Sequence, residues 1–420
     1  MMHIASLLAQ MRSDQWKSPE ELRATQEKKL RELFEYAKNK VPYYRKKFEG
    51  RTVRSLDDLP ALPILRKQDI RSNTLSLISS AYRESSLKKM STSGSTGTPL
   101  DIYHSAGESA YGPAFEMRQL TEAGIGPFDK VVHIIYHNGK PRLLQNLGIF
   151  RRHYLSMHDD EKANLKKLKE MKPKALICHP SYALPMAHAN QGDGALKIEK
   201  LFSYAELLTP KARAFLEASF GAKVYDMYGS METSWLAWQC EKGSMHLHSD
   251  HVIAEIVDEQ GRPVKDGEYG NIVVTPLWQR AMPLLRYSLG DRTAIGEKCA
   301  CKRGLQTLKP IEGRDDDFIV LPSGRPISGR FVGVFIRDIP GAVLFQARQD
   351  NEGELKILIV TEDGKIDGKD RKKLSDDLNA FFPEKLDIKV ELVESIPRGR
   401  SGKLQSVVSS LKPSIDLQSR

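Results

Sequence analysis

The stretch Lys211-Ala212-Arg213-Ala214-Phe215-Leu216-Glu217-Ala218-Ser219-Phe220-Gly221-Ala222-Lys223-Val224-Tyr225-Asp226 decides the fold class. Lys211–Ser219 reads as a helix, Gly221 as the cap that ends it, and Lys223–Asp226 as a strand. Working outward, Glu161–Met171 predicts a basic amphipathic helix that stops before Pro173. Ala175–Cys178 predicts a short strand and Val131–Tyr136 a buried one. Strands alternating with helices in this way predict an α/β architecture. Nearer the N-terminus, Leu22, Leu30, Leu33, Phe34 and Ala37 recur at helical spacing, so residues 19–40 read as a helix halted near Pro42. From about residue 250 strands and turns take over, with His251–Val257 and Asn271–Thr275 strand-like. Beyond Gly313 the pattern is a small α+β unit: a strand at Leu355–Val360, a polar helix at Asp370–Phe381 and a strand at Lys389–Val393. The charged run Gly313-Arg314-Asp315-Asp316-Asp317 marks the expected boundary between a domain of residues 1–312 and one of residues 313–420.

Composition bounds the function. The chain has 420 residues, and 64 Lys+Arg against 54 Asp+Glu give a formal charge of +10. Hydrophobic residues make up 40% and charged residues 28%, ordinary globular values that exclude a largely disordered or fibrous chain. No apolar run approaches the ~18–20 residues that span a bilayer, and the N-terminus lacks a basic leader region. Four cysteines in this length form no disulfide framework. The expectation is a soluble cytoplasmic protein. The positive charge alone admits nucleic acid, an anionic surface or an acidic small molecule as partner.

Four stretches could carry chemistry. In Ser91-Thr92-Ser93-Gly94-Ser95-Thr96-Gly97-Thr98-Pro99, eight of nine residues are Gly, Ser or Thr. Such a loop can aim N–H groups and hydroxyls at an anion, although it lacks the Lys of a Walker A loop; the plain alternative is a surface loop. In Tyr225-Asp226-Met227-Tyr228-Gly229-Ser230-Met231-Glu232-Thr233, a strand ends in an aromatic, a glycine and a carboxylate. The aromatic could stack on a base and Glu232 could hold Mg²⁺; a core Tyr and a surface Glu is the alternative. Arg286-Tyr287-Ser288-Leu289-Gly290-Asp291 places an Asp after a glycine turn, suited to a ribose diol or simply to capping the turn. Ile396-Pro397-Arg398-Gly399-Arg400-Ser401-Gly402-Lys403 is a basic loop whose Lys could reach a phosphate, or a solvated tail.

In this order the four stretches resemble the core motifs of the adenylate-forming acyl/aryl ligase superfamily, over nearly the whole chain. They look most like the phenylacetate–CoA ligase family and its short capsule-biosynthesis relatives. Val41-Pro42-Tyr43-Tyr44-Arg45, Pro180-Ser181-Tyr182-Ala183-Leu184 and Ala281-Met282-Pro283-Leu284-Leu285-Arg286-Tyr287 support the likeness, and Gly313–Asp317 matches the family's hinge. The resemblance implies a large multi-subdomain N-terminal adenylation domain and a small mobile α+β C-terminal domain. It implies that Ser93, Gly94, Ser95, Thr96 and Gly97 cradle the ATP phosphates, that Tyr228 and Gly229 lie at the adenine, and that Glu232 holds Mg²⁺. Asp291 resembles the ribose-binding Asp, Lys403 the catalytic Lys, and Arg314, Asp316 and Asp317 the hinge. Ala205 and Glu206 fall where the family's Gly-Ala-Glu lies beside adenine, and Ser181 and Tyr182 near the acyl pocket. For Tyr182 a core position is the competing reading. A carboxylate attacking the α-phosphorus of ATP gathers negative charge on phosphate oxygens, which Mg²⁺ and a positioned Lys offset. The implied reaction is acid plus ATP to acyl-adenylate, then transfer to CoA. An acyl or aryl carrier protein bearing phosphopantetheine is the alternative acceptor, and an aryl acid the implied substrate.

Three departures stand out. Met231 replaces the usual Thr or Ser before Glu232. Tyr204 replaces the glycine before Ala205. The glycine-rich stretch after the Val131–Tyr136 strand is reduced to His137-Asn138-Gly139.

Cys240, His246, Cys299 and Cys301 form a Cys₃His set of the kind that holds a structural zinc. Members of the resembled family often carry cysteines at these places. His248 could substitute for His246, and four inert thiols are the alternative. The competing class is a nucleic-acid-binding protein, which would need clustered basic and aromatic residues. The basic residues here are scattered. An adenylate-forming fold that no longer turns over is a third reading, hinted at by Met231.

Overall fold

The computed structural model describes residues 2–91, 100–135, 148–312, 318–324, 326–329, 331–336, 338–397 and 404–411. The chain forms two compact units, one of residues 1–125 and 226–312, the other of residues 126–225 and 313–420. No helix among the described residues is long and apolar enough to cross a membrane.

In the first unit the helix Pro19–Lys40 begins on a reciprocal cap: the Ser18 hydroxyl accepts from the Glu21 N–H and Glu21 accepts from the Ser18 N–H. Pro at the first turn pre-sets its dihedrals. Its apolar stripe Leu22, Leu30, Leu33, Phe34 and Ala37 is buried as the spacing predicts. Phe34 stacks on Phe48 at 5.0 Å. This core continues into an antiparallel sheet of Val252–Val257, Gly270–Pro276 and Tyr287–Thr293. A second antiparallel ladder runs Thr307–Leu308, Met245–Leu247, Ser234–Gln239 and then the end of Lys223–Ser230. The strands Lys88–Ser91 and Asp101–His104, on either side of residues 92–99, pair antiparallel with Ser91 opposite Asp101.

The second unit starts from the alternation that the sequence displays. The helix Pro210–Phe220 is capped by the Thr209 hydroxyl, which accepts from the Ala212 N–H. Gly221 ends it at φ +61°, where a side chain would be strained. The strand Lys223–Ser230 follows and carries the chain from this unit into the other. Four strands, Lys200–Tyr204, Ala175–Cys178, Val131–Ile135 and Arg152–Ser156, lie side by side and parallel. The helix Glu161–Met171 turns Leu165 and Leu168 inward. The helix Pro180–Ala189 is buried almost all round, so it has no polar face to announce it in the sequence.

The two-domain expectation cuts the chain once, near residue 312. The unit boundaries also fall at 125 and 225, because residues 126–225 pack with the C-terminal region. Val343, Leu344, Val360 and Ile396 share one apolar cluster with Leu176, Tyr182 and Leu216. The C-terminal region itself is a sheet in the order Asp387–Leu392, Glu354–Thr361, Ala342–Gln349, Val407–Ser409, beside the helix Gly368–Phe381.

Candidate active site and metal centre

In the first unit the second and third motifs meet. The Tyr228 hydroxyl donates to Asp291 Oδ2 at 2.6 Å across 63 residues of sequence. Asp291 is buried, and so is Glu232, whose Oε1 accepts from the Tyr287 hydroxyl at 2.9 Å. Tyr287 and Asp291 lie on one strand, on either side of a bulge at Gly290, and both are buried. The turn that brings Glu232 there depends on Gly229. A Cβ at Gly229 would lie 2.5 Å from the Ser234 carbonyl oxygen, so only glycine fits. Gln279 Nε2 donates to the Glu232 carbonyl at 2.7 Å and fixes the turn from behind. Met231 stands exposed at its tip. Tyr287 has no role in the sequence reading. The signal available was its two-residue alternation with Leu289 and Asp291.

In the second unit Glu206 is buried at the C-terminal end of the parallel strands. It accepts from the Ser181 N–H and hydroxyl, both at 2.9 Å, and from the Leu404 N–H at 2.5 Å. His179 Nδ1 lies 3.6 Å away. Burial pushes the Glu206 carboxyl up, but His179 and the backbone N–H groups of Leu404 and Ser181 outweigh it and hold it below the ordinary carboxylate range. Ala205, just before it, has φ +67°, a left-handed conformation that an alanine adopts only under constraint. Tyr204 turns its ring edge-on to His179 at 4.5 Å and brings its hydroxyl to 3.0 Å from His133 Nε2.

Ser181 thus pairs with Glu206 and also lines a cavity of about 220 Å³ with Leu184, His188, Leu344 and Glu394. Tyr182 does not line that cavity. It is fully buried, its hydroxyl donating to the Asp159 carbonyl at 2.6 Å and accepting from Asn164 at 2.7 Å. Of the two readings for Tyr182, its surroundings are those of a core residue. Ser93, Gly94, Ser95, Thr96, Gly97, Arg314, Asp316, Asp317 and Lys403 lie outside the described residues.

Cys240, His246, Cys299 and Cys301 come together in the first unit, their ligand atoms all within 4.8 Å of one another. Cys240 Sγ and Cys299 Sγ are 3.6 Å apart, and Cys301 Sγ is 3.2 Å from His246 Nε2. Tetrahedral bonds of about 2.3 Å to sulfur and 2.0–2.1 Å to nitrogen span such edges, so the set fits zinc. His246 Nδ1 faces the Leu305 carbonyl at 3.4 Å, which leaves Nε2 for a metal. Burial pushes the Cys240 thiol up to about 12 and the His246 imidazole down to about 4 in the metal-free cluster. His248 is excluded as a ligand. Its two ring nitrogens face Arg118 at 3.2 Å and Gln119 at 3.3 Å, and its ring stacks on Trp238 at 4.6 Å. Arg303, two residues after Cys301, binds Glu122, Glu241 and Gln15. A Cβ on Gly304 would lie 1.9 Å from the Lys17 carbonyl oxygen. The loop is therefore seated against the N-terminal segment.

The AMP-binding enzyme family model matches residues 84–276, and the CapK C-terminal domain model matches residues 319–410. The chain is 29% identical to a phenylacetate-coenzyme A ligase of Thermus thermophilus over 333 residues, covering 72% of each chain. It is 23% identical to protein CapK of Staphylococcus aureus, over 92% of this chain and 89% of that one. A crystal structure of 2-hydroxyisobutyryl-CoA ligase in the postadenylation state superposes with a TM-score of 0.76 at 21% identity, covering 94% of this chain and 91% of that one.

Proposed function

The chain belongs to the adenylate-forming superfamily, with an AMP-binding domain and a smaller CapK C-terminal domain in a mixed α/β fold, and on that premise we propose that it is an AMP-forming acid–thiol ligase. It activates a carboxylic acid with ATP to an acyl-adenylate and transfers the acyl group to the thiol of CoA. The resemblance to phenylacetate–CoA ligases points to an aryl or arylacetic acid, and a cytoplasmic setting belongs to the same reading. The observation that carries the proposal is the 2.6 Å bond between Tyr228 and Asp291. It joins an aromatic suited to adenine with a carboxylate suited to a ribose diol, two motifs far apart in sequence.

The residues divide the work. Tyr228 and Asp291 bind the nucleoside, with Gly229 giving its close approach. Ser93–Gly97 hold the phosphates. Glu232, oriented by Tyr287, would hold Mg²⁺, which takes one or two carboxylates and completes its shell with phosphate oxygens. Bound there, Mg²⁺ would neutralise charge gathering on the phosphates. Ala205 and Glu206 border the adenine, with Ser181 orienting Glu206. Lys403 stabilises the charge of the adenylation transition state. It then leaves as residues 313–420 turn about Arg314, Asp316 and Asp317, opening the adenylate to the thiol. Cys240, His246, Cys299 and Cys301 would hold a closed structural zinc.

An acid-dependent ATP–pyrophosphate exchange panel of benzoates, phenylacetates and short fatty acids tests the proposal. Acid-dependent exchange followed by a CoA thioester is the expected result. Exchange with no CoA thioester, but with loading of a phosphopantetheine carrier, would reject CoA as acceptor. Absence of exchange with every acid would reject adenylation.

A further inference from the structure

Glu232 is placed through its main chain as well as its side chain, and the main-chain contact leads to residues outside every motif read from the sequence. Gln279 Nε2 donates to the Glu232 carbonyl at 2.7 Å and also lies 3.3 Å from His104 Nε2. Gln279, His104 and Glu232 are all buried. The carbonyl fixes the amide's orientation, because a swapped amide would turn Oε1 against the Glu232 oxygen. An amide NH₂ has two hydrogens to give. With one on Glu232, the other goes to His104 Nε2, which therefore accepts, so the His104 proton sits on Nδ1. Burial holds the His104 imidazole below its ordinary value, so it is neutral at neutral pH and able to accept. Both ends of this relay are pinned. The buried Glu108 carboxylate accepts from the N–H groups of Arg280 and Ala281, just after Gln279, and from the N–H of Ser105, just after His104. On the far side, the Ser230 hydroxyl accepts from the Thr233 N–H at 3.2 Å and closes the turn that carries Glu232.

We propose that Gln279 and His104 are positioning residues that set how much Mg²⁺ tightens ATP binding, acting through the turn that carries Glu232. The inference rests on the assignment of Glu232 to Mg²⁺ above and adds the residues that aim it. Mg²⁺ demands a near-ideal octahedral shell and takes only one or two carboxylates beside phosphate oxygens. The direction of a lone carboxylate therefore decides how well it joins a cation carried by the phosphates. Tyr287 holds the Glu232 side chain at 2.9 Å, and Gln279 holds its backbone, so the carboxylate is fixed from two sides. Removing the Gln279 amide takes a donor from a buried carbonyl and lets the turn tilt. Removing the His104 acceptor leaves the amide one partner fewer to fix its rotation. Groups that orient a metal-binding carboxylate are worth about 10–100-fold in metal affinity.

The test is the Kd for ATP by titration calorimetry, with no acid present, in saturating Mg²⁺ and in excess EDTA. The proteins are the wild type, Gln279→Leu, His104→Leu, His104→Gln and Glu232→Gln. The ratio of the two Kd values is the Mg²⁺ gain. Gln279→Leu is expected to lower that gain by about tenfold and His104→Leu by about threefold, each with its Kd in EDTA within about twofold of the wild type. His104→Gln is expected to keep most of the gain, because its Oε1 accepts in place of Nε2. Thermal melting checks that each variant folds, and His104→Leu supplies the same ratio if Gln279→Leu is unstable. A gain lost in Glu232→Gln but kept in Gln279→Leu and His104→Leu overturns the inference and leaves the Mg²⁺ assignment standing. Equal losses of ATP affinity in EDTA and in Mg²⁺ mark a merely structural role and overturn it too. A gain near one in the wild type, or one that survives Glu232→Gln, overturns the Mg²⁺ assignment with it. No binding of ATP in either buffer overturns the adenylation reading as well.

Discussion

The Cys₃His cluster of the first unit and the carboxyl end of the parallel strands in the second use similar side chains to opposite ends. In the cluster each polar group is consumed locally. His246 is oriented by the Leu305 carbonyl, Cys299 Sγ accepts from the Cys301 N–H at 3.4 Å, and Arg303 ties the loop to three separate side chains. At the strand ends the backbone is strained at Ala205, and half-buried His133 and Tyr204 join His179 in a chain of ring and hydroxyl contacts. One set converges on a single point, and the other is strung along strand ends beside a strained backbone. The comparison teaches that residue type alone does not separate a structural site from a reactive one. Convergence of the donor atoms and strain in the backbone are what differ between the two.

The largest effect should come from the reacting side. Lys403→Ala is expected to lower acid-dependent pyrophosphate exchange by about 10²–10³-fold, the usual loss of a donor aimed at developing charge. Unchanged exchange would remove Lys403 from the mechanism. Next comes the closed cluster. Purified protein is expected to carry close to one equivalent of zinc, and Cys240→Ser or chelation should lower the melting temperature by several degrees. Less than about a tenth of an equivalent would sink the metal assignment. Lost activity at an unchanged melting temperature would break the comparison itself. Glu206→Gln should cost about 1–3 kcal/mol at neutral pH, read from denaturant midpoints, because it removes the charge from several hydrogen bonds. The Glu206 carboxyl is held below its ordinary value of 4.5. The stability it supplies is therefore complete above that value and is lost as pH falls through the lower folded value. The variant should show a shallower loss of stability on acidification there, and an identical acid limb would remove this role. Smallest of all, Ala205→Gly relieves the left-handed strain. It should shift stability by no more than about 1 kcal/mol either way, since glycine also gains freedom in the unfolded chain.

Much of this was legible in the residues, and the rest was hidden for identifiable reasons. Gly221 and the Leu165–Leu168 spacing announce their elements because caps and amphipathic stripes are local signals. Pro180–Ala189 gave none, with prolines at its start and inside it and apolar neighbours on nearly every side. The Tyr228–Asp291 pair was legible as two roles but not as a bond, since the bond is made by tertiary packing. The choice of His246 over His248 was settled by Arg118 and Gln119, which arrive from the helix Tyr111–Glu122. The packing of residues 126–225 with the C-terminal region leaves no mark on either segment's own pattern.

That division of the chain has an optical consequence. All four tryptophans, Trp16, Trp235, Trp238 and Trp278, fall within residues 1–125 and 226–312. Indole emission therefore reports on the first unit alone, with Trp238 stacked on His248 and 5.8 Å from His246 of the Cys₃His cluster. Far-ultraviolet dichroism reports on both units at once. If the two signals part company during a denaturant titration, the gap between them is the melting of the second unit, recorded without a label.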